Sequence, residues 1–362
     1  MSSGRRGRLA TIGALGGVIA AGVGAGLLAE KRSVRARRTV PDAVAREPFF
    51  ALPYDRTGVV VTDDGVELRY EEVGRADATM TVIFAHGFTL QMAAWHFQRR
   101  SLADVGRLVF YDHRGHGRSG ASAAEHCTID QLAADLERVI EERAPTGPIV
   151  LAGHSMGGMT ILALADRRPD LFGPDGRVAG VALVSTSAGG LAEVAFGIPS
   201  IGGKLVQRLL PRLAVGIGGK RARFIDAQRN RGLGNDLGWS LARRVSFGDP
   251  EVSPSLVDFM EQLIGATPAE VIAMFAPTFL GHDKLRALPA LRGRPVLVIV
   301  GDRDLLTPAA HSRTMAAEIG PDAELVVMPG AGHMAKLERP AVVTLHLRAL
   351  VARARDAVSQ AA

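Results

Sequence analysis

From residue 58 onward the chain alternates short apolar runs with stretches of helical character. Val59–Thr62, an Asp63-Asp64-Gly65 turn and Val66–Val73 predict a hairpin, because Asp-Gly suits a tight turn with positive φ. Thr81–Ala85, Leu108–Tyr111, Ile149–Ala152, Val178–Val184, Pro295–Val300 and Glu324–Met328 predict strands. Helices are expected over Met92–Asp104, from Thr128, over Met156–Asp166, after Pro308 and over Pro340–Asp356. Gln131, three residues after Thr128, gives that helix a capping-box start. Strands that are apolar throughout and alternate with helices predict a parallel sheet covered on both faces. The rhythm stops near Gly189 and resumes at Pro295, with about 100 residues of glycine-punctuated helical pattern between. The expected architecture is therefore α/β, a doubly wound and mostly parallel sheet over residues 56–189 and 290–362, with an inserted helical cap at 190–289.

The first 55 residues follow another pattern. A basic tail at 1–8 precedes an uncharged run from Leu9 to Ala29. As a helix of 1.5 Å per residue this run matches the ~30 Å bilayer core. Arg5, Arg6 and Arg8 would also suit the charged start of a secretory signal, but Leu27 stands where a small residue is preferred for cleavage. A retained anchor is the expectation. Five positive charges follow the run and three precede it, which favours a cytoplasmic body; a cleaved signal would instead give a secreted one. Residues 30–55, with Pro41, Pro48 and Pro53, are expected as a linker.

Charge sharpens this division. The net +6 comes from the N-terminal arm: residues 1–38 hold eight basic side chains and one acid, leaving 35 basic and 36 acidic residues in the other 324. The body has no basic excess, so composition offers no nucleic-acid partner. Cys127 is the only cysteine, so no intramolecular disulfide forms.

Three segments carry candidate chemistry. Gly153-His154-Ser155-Met156-Gly157 lies between a predicted strand and a predicted helix, where a sharp turn lifts the serine above the sheet. A serine hydroxyl needs a base, and the base an orienting acid. Gly301-Asp302-Arg303-Asp304 follows one strand and Gly332-His333 follows another, so each leaves a sheet at its C-terminal edge. At this point either aspartate suits the acid role. His113 and His116 have the i, i+3 spacing of metal ligands, but only Asp112 lies near them as a further ligand; no metal or other cofactor is expected.

From residue 57 to the C-terminus the chain resembles the α/β-hydrolase superfamily, in the serine order Ser155, Asp304, His333. Gly301-x-x-Asp304-x-x-Thr307-Pro308 resembles the segment in which the second aspartate is catalytic, which implies Asp304 rather than Asp302. The resemblance makes His86-Gly87-Phe88 the oxyanion loop, with the N–H groups of Phe88 and Met156 as donors, and likens Asp112–Ser119 to a loop shaping the core beside the site. It implies a serine hydrolase acting on a small-molecule carboxylic ester with a hydrophobic acyl or alcohol part, of esterase or lipase type, through an acyl-enzyme. The same triad on a thioester, amide or carbon–carbon bond, or in perhydrolase chemistry, is the alternative. A non-catalytic receptor would not need a complete triad. Phe196, Ile198, Trp239, Phe247, Phe259, Met260, Met274, Phe275 and Phe279 offer apolar surface for a pocket in the cap. Oligomeric state is left open.

Overall fold

The computed structural model describes residues 32–40, 42–194, 222, 226 and 235–361. The expected anchor at 9–29, Phe196, Ile198 and much of the cap lie outside them. Eight strands form one sheet: β1 Arg56–Val61, β2 Glu67–Val73, β3 Thr81–Ala85, β4 Arg107–Tyr111, β5 Ile149–His154, β6 Val178–Val184, β7 Val296–Gly301 and β8 Ala323–Met328, in the order β1-β2-β4-β3-β5-β6-β7-β8. The β1–β2 and β2–β4 pairs are antiparallel and every other pair is parallel. The hairpin and the doubly wound sheet are thus as the apolar runs indicated.

Parallel strands need crossover helices, and those helices bury both faces of the sheet. Among the described residues the helices include α1 (residues 32–38), α2 His96–Ser101, α3 Ile129–Arg143, α4 Met156–Arg167, α5 Asn235–Ser246, α6 Pro254–Gly265, α7 Ala269–Leu280, α8 Ala309–Ile319, α9 Ala335–Glu338 and α10 Pro340–Ala361. Alternate strand residues serve the two layers. Ile83, Leu151, Leu183 and Val298 pack with Leu132 and Leu136 of α3 and Leu162 of α4. Phe84, Ala152, Val184 and Ile299 pack on the other face with Val343 and Leu347 of α10. Trp95 is fully buried in that second layer. Thr128 caps α3, its side chain accepting from the Gln131 N–H at 3.1 Å.

Two expectations need correction. The helix expected from Met92 begins as a 3-10 turn, Met92–Trp95, and becomes α-helical only at His96. Residues 30–55 are more than a linker where described. Val34 in α1 is buried against Trp239 and Phe259, and the Phe49 ring stacks on Phe259 at 4.2 Å. Polar composition and prolines conceal this, because the apolar partners lie some 200 residues away.

The cap occupies the β6–β7 connection, where α5, α6 and α7 are described. Among the described residues no single helix is long and apolar enough to cross a membrane; α6 and α7 reach that length only as a pair bent by 92°.

Candidate active site

Ser155, Asp304, His333 and Phe88 follow the C-terminal ends of β5, β7, β8 and β3, four parallel strands of one sheet. Ser155 sits in the step from β5 into α4 with φ +52° and ψ −117°, a backbone conformation that costs about 1–3 kcal/mol for a non-glycine residue. Surrounding contacts hold it there. Its N–H donates to the Val184 carbonyl at 3.0 Å, and the Thr186 hydroxyl donates to its carbonyl at 2.7 Å. Gly157 lets the turn close, since a Cβ there would lie 2.2 Å from the Ala85 carbonyl oxygen. Met156 is the first residue of α4, so its N–H belongs to the turn that lacks carbonyl partners within the helix. On the other side, a Cβ on Gly87 would come within 3.1 Å of the Ser155 Cβ. The next N–H, that of Phe88, has no backbone acceptor among the described residues. The turn and the Phe88 loop therefore face each other, as an oxyanion site requires.

His333 Nδ1 lies 2.9 Å from Asp304 Oδ2 and 3.1 Å from Oδ1. The carboxylate also accepts the backbone N–H groups of Leu306 and Thr307 and the Thr307 hydroxyl, at 2.8–2.9 Å. Burial opposes ionisation of Asp304, yet the His333 imidazole and these donors outweigh it and hold the carboxyl below its usual range. Asp302 does something else: it is exposed and accepts the Gly330 N–H at 2.7 Å. The choice between the two aspartates is geometric.

The other histidines of the motifs are tied to backbone. His154 Nε2–H donates to the His333 carbonyl at 3.1 Å, and His113 Nε2–H to the His86 carbonyl at 3.1 Å. His116 Nδ1–H donates to the Arg114 carbonyl at 2.9 Å. Burial pushes His113 down to about 3 and His116 down to about 4, so both rings are neutral at pH 7. Asp112 accepts the Met92 and Arg118 N–H groups at 2.7 and 2.9 Å, tying its loop to the segment after Phe88.

A protein family described as the alpha/beta hydrolase fold matches residues 81–340. The chain belongs to this family. This α/β-hydrolase is 30% identical over 277 residues to the dihydrolipoyllysine-residue acetyltransferase component of an acetoin cleaving system from Pseudomonas putida, matching 75% of this chain and 63% of that protein. The chain thus spans just under two thirds of that relative's length. A monoacylglycerol lipase from Mycolicibacterium smegmatis is 28% identical, with 71% of this chain and 82% of the lipase covered. Among solved structures, a thermophilic esterase from Thermogutta terrifontis superposes with a TM-score of 0.64 at 28% identity, covering 83% of this chain and 99% of the esterase.

Within this α/β-hydrolase the cap meets the Phe88 loop through α7. The Phe88 ring lies 4.9 Å from Phe279 and 6.3 Å from Phe275. Of the cap residues expected to offer apolar surface, Phe275 and Phe279 reach this loop. Trp239, Phe247, Phe259 and Met260 are instead buried in a separate cluster with Leu90 and Met334.

Two residues that motif reading passed over lie in α9, just after His333. Glu338 accepts the N–H groups of Gly332 and Gly248 at 2.8 and 2.7 Å, clamping the His333 loop to the cap. Its signal was only a charge five residues after His333. Lys336 is wholly buried, with Nζ 5.2 Å from the Trp95 ring centre.

Proposed function

We propose that the chain hydrolyses a carboxylic ester with a hydrophobic acyl or alcohol part, through an acyl-enzyme on Ser155. The observation that carries this reading is the His333–Asp304 pair, held at the same sheet edge as a serine in a strained strand-to-helix turn. Asp304 accepts from His333 Nδ1–H and so leaves Nε2 as the lone-pair nitrogen, the one able to take the Ser155 proton. Ser155 Oγ then bonds to the ester carbonyl carbon. The N–H groups of Phe88 and Met156 receive the developing oxyanion. Collapse expels the alcohol, which takes the proton from His333. Water attacks the acyl-enzyme by the same route, releasing the acid and restoring Ser155.

The apolar α7 surface at Phe275 and Phe279 supports a hydrophobic substrate, and the lipase and esterase relatives are consistent with it. We further propose that residues 9–29 anchor the protein in a membrane, with the catalytic body on the cytoplasmic face.

The test is hydrolysis of p-nitrophenyl esters of two to sixteen acyl carbons by the full chain, beside Ser155→Ala. Turnover that disappears in the variant supports the reading. A folded protein that turns over no ester overturns it and moves attention to thioester, amide or carbon–carbon bonds at the same triad.

A further inference from the structure

We infer that residues 32–40 and 42–55 form a brace that positions the His333 loop by way of cap helices α5 and α6, with Arg38 and Phe49 as its positioning residues. The inference rests on the reading of His333 as the base.

At its cap end the brace is held by charge and by apolar burial. The Arg38 guanidinium lies 2.9 Å from Glu261, 3.2 Å from Asp258 and 3.7 Å from Asp236. Two of these carboxylates stand on α6 and one on α5, and they repel each other unless a cation sits between them. Arg38 also lies over the Trp239 ring of α5 at 5.6 Å. Beside it Val34 is 1% exposed, and Phe49 stacks on Phe259 of α6. Asp42 accepts the Ser255 N–H at 3.2 Å near the start of α6.

The other end returns to the body. Glu47 lies 3.0 Å from His96 Nε2 and 2.7 Å from Arg100, both on α2. The Pro53 carbonyl accepts from Arg99 at 3.1 Å, and the Asp55 N–H donates to the Glu72 carbonyl at 2.8 Å beside β2. The segment is thus fixed to the cap at one end and to the sheet at the other.

What the brace holds is the segment on which His333 rests. At the end of α5 the Ser246 carbonyl accepts the Met334 N–H at 2.8 Å. A Cβ on Gly332 would lie 2.6 Å from the Phe247 carbonyl carbon, so the two backbones are in direct contact. Gly248 and Gly332 share the Glu338 carboxylate. Both chain neighbours of His333 therefore bear on the α5–α6 junction. Packed interiors transmit such shifts instead of absorbing them, and catalysis is sensitive to displacements of about 1 Å.

The experiment compares three full-length variants with the parent chain. Arg38→Ala with Phe49→Ala breaks the brace, and Arg38→Lys with Phe49→Leu keeps its charge and apolar bulk. Val139→Ala destabilises α3, whose C-terminal half precedes β5 and so lies toward the opposite sheet edge. Each is read by hydrogen exchange of the 329–338 peptide, by kcat and KM on p-nitrophenyl butanoate, and by melting temperature. The double alanine variant is expected to exchange about tenfold faster at 329–338 and to lose about tenfold in kcat, with KM within about threefold. The conservative pair restores both readouts. Val139→Ala lowers the melting temperature and moves neither.

Unchanged exchange and kcat in the folded double alanine variant would overturn the inference, as would equal changes in Val139→Ala. If the double variant does not fold, Phe49→Ala alone is judged by the same readings. If the parent hydrolyses no ester, the catalytic reading fails by itself, and exchange at 329–338 still decides the brace.

Discussion

Asp304 and His333 meet through a 2.9 Å contact between Oδ2 and Nδ1, while the carboxylate of Asp302 points to the Gly330 N–H on the exposed side of the same loop. Two aspartates one residue apart thus have different work, and substitution separates them. Asp304→Asn presents an amide to the imidazole and disfavours the tautomer with a free Nε2. The expected loss in kcat is about 10⁴-fold. Asp302→Asn is expected to stay within about threefold of the parent. Steady-state kinetics on one p-nitrophenyl ester measures both, and a larger loss at Asp302 would reverse the assignment.

The Phe279 ring lies 4.9 Å from Phe88, so it bears on the loop proposed to receive the oxyanion and on the apolar surface proposed to meet the substrate. An aromatic pair of this kind contributes about 0.5–1.5 kcal/mol beyond its buried area. Phe279→Ala is therefore expected to cost about two- to tenfold in kcat/KM on short esters, through a looser Phe88 loop. Esters of eight or more carbons are expected to lose more, through KM, because apolar lining is also removed. Equal losses at all chain lengths would assign Phe279 to the loop alone.

These relationships differ in how far the sequence disclosed them, and the difference follows distance along the chain. The turn at Ser155 was legible because strand, glycines and helix are contiguous, and the Gly157 contact with Ala85 accounts for the pattern sterically. The sheet was legible because its central strands are buried on both faces and so apolar throughout. Asp304 was distinguished from Asp302 only by resemblance, because both are acids in one loop and burial separates them. The brace was not legible at all: the partner of Phe49 is Phe259, and a short segment with prolines reads locally as linker. Lys336 and Glu338 were missed for a related reason. Charged residues in a four-residue helix look solvated until the cap and Trp95 are seen to cover them.

Asp112 makes stability depend on pH in the mildly acidic range. Burial pushes its carboxyl up to about 6, against the lowering effect of the Arg118 and Met92 N–H groups. An acid whose native pKa exceeds its unfolded value, here 3.8, costs nothing well below 3.8 and imposes its full cost above 6. The stability attributable to this group therefore falls as pH rises between those values, by about 3 kcal/mol in all. Asp112→Asn removes the titration. The stability of the parent minus that of the variant, from urea unfolding, is expected to fall by about 3 kcal/mol between pH 3.5 and pH 7. A flat difference would mean that Asp112 titrates normally.

Lys336 sets the opposite slope in the alkaline range. Burial alone pushes its amine well below the ordinary value of 10.5. Among the described residues Nζ meets the Trp95 ring and, at 3.9 Å, the Met334 sulfur, neither of which replaces a carboxylate. His86 and His154 stand nearby, and burial keeps both neutral as well. Below pH 10.5 the unfolded chain takes up a proton that the native amine refuses, so stability is lost as pH falls through that value. Lys336→Met keeps the length of the side chain and removes the titration. The variant is expected to be more stable than the parent at pH 7, because the unfolded lysine is stabilised there by a proton that the native amine does not take up. The advantage shrinks toward pH 10.5, where the unfolded lysine also loses its proton and only the packing difference remains. Urea unfolding at pH 7, 9 and 10.5 traces the slope. An advantage of the same size at all three would assign it to packing against Trp95, and a variant less stable at pH 7 would mean that the amine has a partner strong enough to offset its burial.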